Sequence, residues 1–452
     1  MHVSEHSKRI PLVFVPGVKG SSLQDAEGRK VWITPRQAFG QNPRHCQALD
    51  LPLHWYEVNN DPEDPDGHLR YRQMTDGIQP RKPISKVAKF HIYGHWLKVA
   101  RKIDRPYYEF AYDWRRDLNE ASHNLIKFLE PIVAQHGPVQ IVCHSMGGLV
   151  VFAALNDPKT VKMFHNVIFA GTPFSQEIGF LFDMHVGVPN GFNNQILDPK
   201  VLFTCASGSV FYPFHDNPKV FIRKDQVQHE RRRPEPDEDH TTFLSDEEIR
   251  HHKQFLEDHP DLTVFDIDFY DPNDWREFKI GIFSMEYQNM NFKLPPGARQ
   301  EDLEAVINSH MQHAMYQGVH FRNRIKFNPK VEYPPMAMLH NTTHETFARV
   351  LRDGPKSVRG FDFETLPKTT GDIRVSAAST TLPRGVPFDV YETENEHAYL
   401  LDDPIVWKIM DRMNDFNGDP EWFHRTKITF VRKQVDGKPI VTRHHEHVIR
   451  VL

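Results

Sequence analysis

Long apolar runs are missing from this 452-residue chain, and with them any obvious membrane span. The first apolar stretch, Leu12-Val13-Phe14-Val15, is closed by Pro16-Gly17 and preceded by ten mostly polar residues. That is far short of a signal-peptide core or of the ~20 apolar residues that cross a bilayer. Cysteine is scarce too: Cys46, Cys143 and Cys205 are scattered, and no C-x-x-C pair exists. A disulfide framework and a cysteine-built zinc site are thereby excluded, and a reducing, cytoplasmic setting is the expectation. A basic excess is also absent, since 55 Lys and Arg face 60 Asp and Glu along the chain. No field would attract nucleic acid, so none is expected as a partner. Internal repeats and low-complexity tracts are lacking as well.

Histidine is plentiful, with clusters at His251-His252 and His444-His445-Glu446-His447. Adjacent residues on a strand point to opposite faces, so few of these could share a metal. They read as solvated surface histidines, and neither a metal nor another cofactor is expected.

The most informative stretch runs from Val139 through Cys143-His144-Ser145-Met146-Gly147-Gly148, an apolar run broken at one serine and resumed in helix-compatible form. A serine hydroxyl is a weak nucleophile at neutral pH and needs both a base and an exposed perch. A sharp strand-to-helix turn supplies the perch, with small residues around the serine so that strand and helix can approach. Gly147 and Gly148 fit that requirement, while Cys143 stands where G-x-S-x-G places its first glycine. The competing reading is a buried strand and helix with an incidental serine.

Strand and helix signals alternate around this segment. The run ending at Val15 reads as a buried parallel strand feeding the loop Pro16-Gly17-Val18-Lys19-Gly20. Residues 40–90 are rich in Pro, Asp, Asn and His and read as a lid-like excursion. Tyr108 to Arg116 reads as a strand end, a helix follows through Leu118, Leu125 and Leu129, and residues 166–174 read as another strand and loop. Such alternation argues for an α/β fold on a mainly parallel sheet. Between about 174 and 334 it fades into a long insertion. This insertion carries the charge run 231–239, a helical pattern over 302–321, and an aromatic set, Phe203, Phe211, Tyr212 and Phe214, that reads as core packing with a tunnel lining as the alternative. The sheet pattern returns at 335–340, at Gly371-Asp372-Ile373-Arg374-Val375 and at 387–390, and a helix from Pro404 follows.

A serine hydrolase built this way presents Ser, then Asp or Glu, then His. Asp372 and His397, 25 positions apart, fit that order, with Asp266, Asp268, Asp271, His340 and His344 as rivals. An oxyanion hole would draw on the backbone amide of Met146, just after the serine, and on that of Val18 in the first loop.

Five blocks together resemble the lecithin:cholesterol acyltransferase-like family of α/β-hydrolases, which includes lysosomal phospholipase A2 and phospholipid:diacylglycerol acyltransferase. They are residues 15–23, Ala111-Tyr112-Asp113-Trp114-Arg115, the elbow 143–148, Ala170-Gly171-Thr172-Pro173-Phe174, and Gly371-Asp372 with Glu396-His397. The Tyr-Asp-Trp-Arg block reads as structural, Asp113 as a helix cap and Arg115 as a partner for a carboxylate.

The resemblance implies an α/β-hydrolase core split into residues 8–175 and 335–452 around a cap insertion at 176–334. It implies Ser145, Asp372 and His397 as a catalytic triad, Val18 and Met146 as oxyanion-hole donors, and transfer of an acyl chain from a lipid ester to an alcohol or water at a membrane surface. The family follows its aspartate with Gly-Thr-Val, where this chain has Ile373-Arg374-Val375. Secreted members staple their lid with a disulfide, and Cys46 has no neighbour to pair with, so a lid here would open freely on lipid or substrate. A soluble carboxylesterase or thioesterase, or a non-catalytic lipid-binding homologue of the fold, are the other readings.

Overall fold

The computed structural model describes residues 10–39, 49–53, 57–58, 71–72, 75–189, 193, 196–214, 218–227 and 246–415. Cys46, most of the lid-like excursion, the charge run 231–239 and the histidines at 444–447 lie outside the described residues.

Six strands form the central sheet: β1 (Leu12–Val15), β2 (Tyr107–Glu109), β3 (Val139–His144), β4 (Phe164–Ala170), β5 (Met336–His340) and β6 (Asp389–Glu392). Their spatial order is β2-β1-β3-β4-β5-β6, and every neighbouring pair is parallel. Both faces of such a sheet must be covered, which is why β1 reads as an unbroken apolar run and β3 and β4 as largely apolar ones. Side-chain alternation divides them between two cores. Val13, Val15, Ile141, Val167 and Phe169 face one way, with Leu125 and Leu129 of α2 (Leu118–His136) and Leu149 and Phe152 of α3 (Met146–Leu155). Leu12, Phe14, Val142 and Ile168 face the other, with Trp96 and Leu97 of α1 (Gly94–Ala100) and Val406, Ile409 and Met410 of α6 (Ile405–Asn414). The arrangement is the α/β-hydrolase fold.

Every residue of α3 is buried, as expected for a helix covered on all sides. It lies against the sheet, and beyond it the chain between β4 and β5 contributes α4 (Ile178–Val186) and α5 (Leu303–Arg324). Strands Val220–Arg223 and Leu262–Val264 from this stretch pair into one sheet with Val350–Arg352 and Phe361–Asp362, which come after β5. Phe203, Phe211 and Tyr212 are buried among Phe180, Phe283 and Trp275, so they pack the core of this region. Among the described residues, no helix is long and apolar enough to cross a membrane.

Two local expectations need correction. The segment Gly371-Asp372-Ile373-Arg374-Val375 is not a strand of the central sheet. Gly371 ends a short strand paired with His344–Thr346, and the chain then folds into a turn closed by Asp372 N–H on the Val375 carbonyl at 3.1 Å. Ile373 is 47% exposed at φ 81, so the apolar alternation there did not mark a buried strand. Nor does Asp113 cap α2. Asp117 does so, accepting from the Asn119 amide, while Asp113 is engaged with Arg115.

Arg115 is fully buried and bridges two carboxylates, Asp113 at 2.7 Å and Asp76 at 2.8 Å, while a further N–H reaches the Leu49 carbonyl at 3.1 Å. The Tyr-Asp-Trp-Arg block thus ties β2's exit loop to segments before it. Removing one partner of a buried ion pair leaves the other charges unpaired in a poor solvent, which costs about 3–5 kcal/mol. Arg115→Met is therefore expected to lower the urea midpoint substantially, whereas Arg29→Met, in an exposed pair with Asp25 and Glu27, leaves it nearly unchanged.

Candidate active site

Ser145 stands at the end of β3, where the backbone turns at φ 52 and ψ −132 into α3. Its amide bonds the Ala170 carbonyl at 2.8 Å, fixing the turn to the neighbouring strand. That backbone is unfavourable for a residue with a side chain and persists only where the surroundings impose it. They do so through close approach: a Cβ on Gly147 would lie 2.3 Å from the Pro16 carbonyl oxygen, and one on Gly17 would lie 2.8 Å from the Ser145 Cβ. Glycine at both positions lets the elbow, the head of α3 and the loop after β1 meet. Cys143, in place of the motif's first glycine, is accommodated with its buried thiol 3.4 Å from the Ile168 carbonyl.

The loop after β1 forms a turn in which Gly20 N–H bonds the Gly17 carbonyl at 3.0 Å, with Val18 at its crest. Met146 opens α3, so its N–H has no intrahelical acceptor. The two amides expected as oxyanion donors thus belong to the two segments that pack directly around Ser145.

His397 follows β6 and Asp372 lies in the turn between β5 and β6. His397 Nε2 is 2.9 Å from Ser145 Oγ, and His397 Nδ1 is 2.7 Å from Asp372 Oδ2. The other carboxylate oxygen accepts the amides of Val375 at 2.7 Å and Arg374 at 3.0 Å. Burial pulls the Asp372 carboxyl upward, but the adjoining His397 ring and these amides outweigh it and hold the group below the usual carboxylate range. An ionised Asp372 fixes the proton of His397 on Nδ1 and leaves Nε2 as acceptor for the serine hydroxyl. Four of the five rival residues are occupied elsewhere: His340 bonds Thr380, His344 bonds the Glu394 carbonyl, Asp268 turns onto the Tyr270 amide and Asp271 caps helix Pro272–Glu277.

The residues after Asp372 explain how the departure from Gly-Thr-Val is absorbed. Ile373 occupies the left-handed region at φ 81, where glycine carries no steric cost, and its amide is held by Thr346 Oγ1 at 3.0 Å. Arg374 reaches across to Asp183 on α4 in an ion pair, linking the Asp372 turn to the stretch between β4 and β5. A β-branched side chain at positive φ stores strain. Ile373→Gly is expected to raise thermal stability by about 1 kcal/mol while leaving the Asp372–His397 contact intact, as a melting curve would report.

Sequence reasoning missed the residues behind His397. His144 lies against the His397 ring, tilted by 45° with centroids 4.7 Å apart, and Tyr93, just after the excursion, stands edge-on to His144. Burial, and then the neighbouring His397, push His144 down to about 3 from an ordinary 6.5. An unfolded chain would take up a proton there between pH 6.5 and 3 that the native protein refuses, so this histidine's contribution to stability is present above pH 6.5 and is lost as pH falls. Urea unfolding between pH 7 and 5 is expected to show a slope reduced by up to one proton in His144→Gln.

Known sequences and structures resemble parts of this chain. The lecithin:cholesterol acyltransferase family model matches residues 76–188, which include Ser145 and Met146 and leave Val18, Asp372 and His397 outside. The uncharacterized protein YJR098C of Saccharomyces cerevisiae is 28% identical over 211 residues, 45% of this chain and 29% of that protein. The chain thus matches under a third of that relative's length. Among solved structures, a chain of the Tle4–Tli4 complex is similar at 12% identity and a TM-score of 0.46, covering 90% of this chain and 97% of the other. Over residues 76–188, the stretch that holds Ser145 and the turn around it, this chain is similar to the lecithin:cholesterol acyltransferase family.

Proposed function

We propose that the protein is a serine acyltransferase or phospholipase that takes an acyl chain from a lipid ester through an acyl-Ser145 intermediate. The observation that carries the reading is the continuous contact from Asp372 to His397 to Ser145 Oγ, at 2.7 and 2.9 Å, on an elbow within the family-matched segment. In this scheme His397 Nε2 takes the Ser145 proton as Oγ attacks the ester carbonyl. The resulting oxyanion is held by the amides of Val18 and Met146, and collapse expels the alcohol with the proton from His397. Water or a second alcohol then gives its proton to Nε2 and attacks the acyl-serine, and Oγ leaves by taking that proton back from His397. Asp372 stays ionised throughout and stabilises the imidazolium.

A lipid donor is supported by the family of the elbow segment and by two exposed apolar side chains beside the site, Ile373 next to Asp372 and Tyr399 two residues after His397. Ser145 is itself only 6% exposed, so an ester must displace part of its cover before reaction. We assign that cover to the cap at 176–334, joined through Arg374 and Asp183 to the core halves 8–175 and 335–452. A peripheral position on a membrane surface follows from the same reading.

The test is incubation with phosphatidylcholine vesicles carrying a deuterated acyl chain, with and without a long-chain alcohol, and mass spectrometry of the products. Labelled fatty acid or labelled ester is the expected result. Turnover of p-nitrophenyl acetate with vesicles untouched would instead make it a short-chain esterase. Inertness toward both, with no fluorophosphonate adduct at Ser145, would leave the non-catalytic homologue.

A further inference from the structure

Behind the triad lies a second chain of hydrogen bonds whose direction can be worked out atom by atom. His144 Nε2 is 2.8 Å from the backbone carbonyl of His397, an atom that can only accept. Nε2 therefore carries the proton, and because His144 is neutral, its Nδ1 is a bare acceptor. The Tyr93 hydroxyl lies 2.8 Å from that Nδ1 and must donate to it. Burial pushes the phenol far above its ordinary value, so the hydrogen it donates is always present. The same oxygen accepts the N–H of Gly17 at 2.9 Å. The sequence of donors runs from the Gly17 amide to the Tyr93 hydroxyl, through the His144 ring, to the His397 carbonyl.

The two ends of this chain are the two parts of the site that must keep a fixed separation. Gly17 immediately precedes Val18 and touches Ser145, so it sets where the oxyanion turn stands. The His397 carbonyl belongs to the residue whose ring receives the serine proton. We propose that Tyr93 and His144 are positioning residues for the reaction, holding the oxyanion turn and the catalytic histidine in register through one directed hydrogen-bond chain. The inference rests on the reading of Ser145 and His397 given above and adds to it.

Chemistry explains why a neutral histidine suits the middle position. His397 becomes an imidazolium in the transition state, and its ring centroid lies 4.7 Å from that of His144. A second cation at that distance would oppose the step, whereas a neutral imidazole can donate at one edge and accept at the other. The surroundings keep it so: Phe14 packs edge-on to Tyr93, Trp96 stands next to Phe14, and the Gly17 backbone closes the near side. The groups facing His144 are Tyr93, Gly17 and His397, with Asp372 acting from beyond His397.

Placement errors of an ångström at a reacting centre cost about 100-fold in rate. Tyr93→Phe removes the hydroxyl and keeps the ring. It is expected to lower kcat about 10- to 100-fold per active site, counted by fluorophosphonate titration of Ser145, with KM changed less than about twofold. His144→Phe is expected to do the same. His144→Gln, whose amide can donate to the His397 carbonyl and accept from Tyr93, is expected to recover much of the loss.

Unchanged kcat per titrated site in both Tyr93→Phe and His144→Phe would overturn the proposal, as would losses that simply follow the fraction of folded protein. A measurement free of variants reads the chain directly: in wild-type protein labelled with nitrogen-15 histidine, His144 should show a protonated Nε2 and a bare Nδ1 from pH 5 to 8. The opposite tautomer, or a titration inside that range, would also overturn it. Failure of the wild type to label at Ser145 would instead bring down the triad reading on which the inference stands.

Discussion

Ser145→Ala is expected to lower ester turnover by about 10⁴- to 10⁶-fold and to abolish the fluorophosphonate adduct, with little change in melting temperature. The rate effect is large because no neighbouring group can take over the covalent step. His397 would face a methyl group, and what survives is the stabilisation of an oxyanion by Val18 and Met146 with water as a poorly placed nucleophile. The stability effect is small because alanine keeps the backbone at φ 52, and the contacts that impose that turn come from Gly17, Gly147 and the Ala170 carbonyl rather than from Oγ. Intact-mass analysis after probe treatment, beside a thermal melt, separates the two. Undiminished turnover in this variant would remove Ser145 from the mechanism.

Asp372→Asn is the more discriminating experiment, since shape is preserved and a single proton is moved. The asparagine oxygen can still accept the amides of Arg374 and Val375, so the turn should survive. Its amide nitrogen would then face His397 Nδ1 and donate, driving the imidazole proton to Nε2, where it points at the Ser145 hydroxyl instead of receiving from it. A base in the wrong tautomer costs about 10⁴-fold in kcat in triads of this geometry. The wild-type carboxyl is held below the ordinary range, so its contribution to stability is complete at neutral pH and is lost only as pH falls through its low folded value. The asparagine variant should therefore match wild type in activity-independent stability better well below the ordinary carboxylate value of 3.8 than at pH 7. A variant within tenfold of wild-type kcat at pH 7 would show that Asp372 does not orient the base.

Much of the core was legible because burial on both faces leaves a strong mark. Leu12 to Val15 alternate between two cores without a polar residue, and Val139, Ile141 and Val142 divide between the same two cores with one buried polar residue, Gln140, among them. The serine announced itself by interrupting such a run, and the order Ser, Asp, His restricted its partners. Residues 371–375 misled for the opposite reason. Ile373 and Val375 alternate like a strand, yet hydrogen bonds from Thr346 and within the Asp372 turn decide the backbone there. Asp113 and Asp117 both precede α2, and only the buried guanidinium of Arg115 determined which one was free to cap it. The Tyr93–His144 chain left no local trace, because its members converge from segments up to 380 positions apart, Gly17 to His397, and a tautomer is set by a partner's carbonyl rather than by neighbours in sequence.

Ser145 and the histidine proposed as its base are separated by 252 residues, with the whole stretch between β4 and β5 lying between them in sequence. Contacts of such range carry the largest loop-closure cost and form late in folding, after local helices and neighbouring strands. During synthesis the strand, serine and helix of the elbow emerge long before His397, and domains organise as the chain appears. On the proposed mechanism a nascent chain would therefore carry a folded but unarmed serine, and competence would arrive in a single late step, when β6 docks beside β5 and delivers His397.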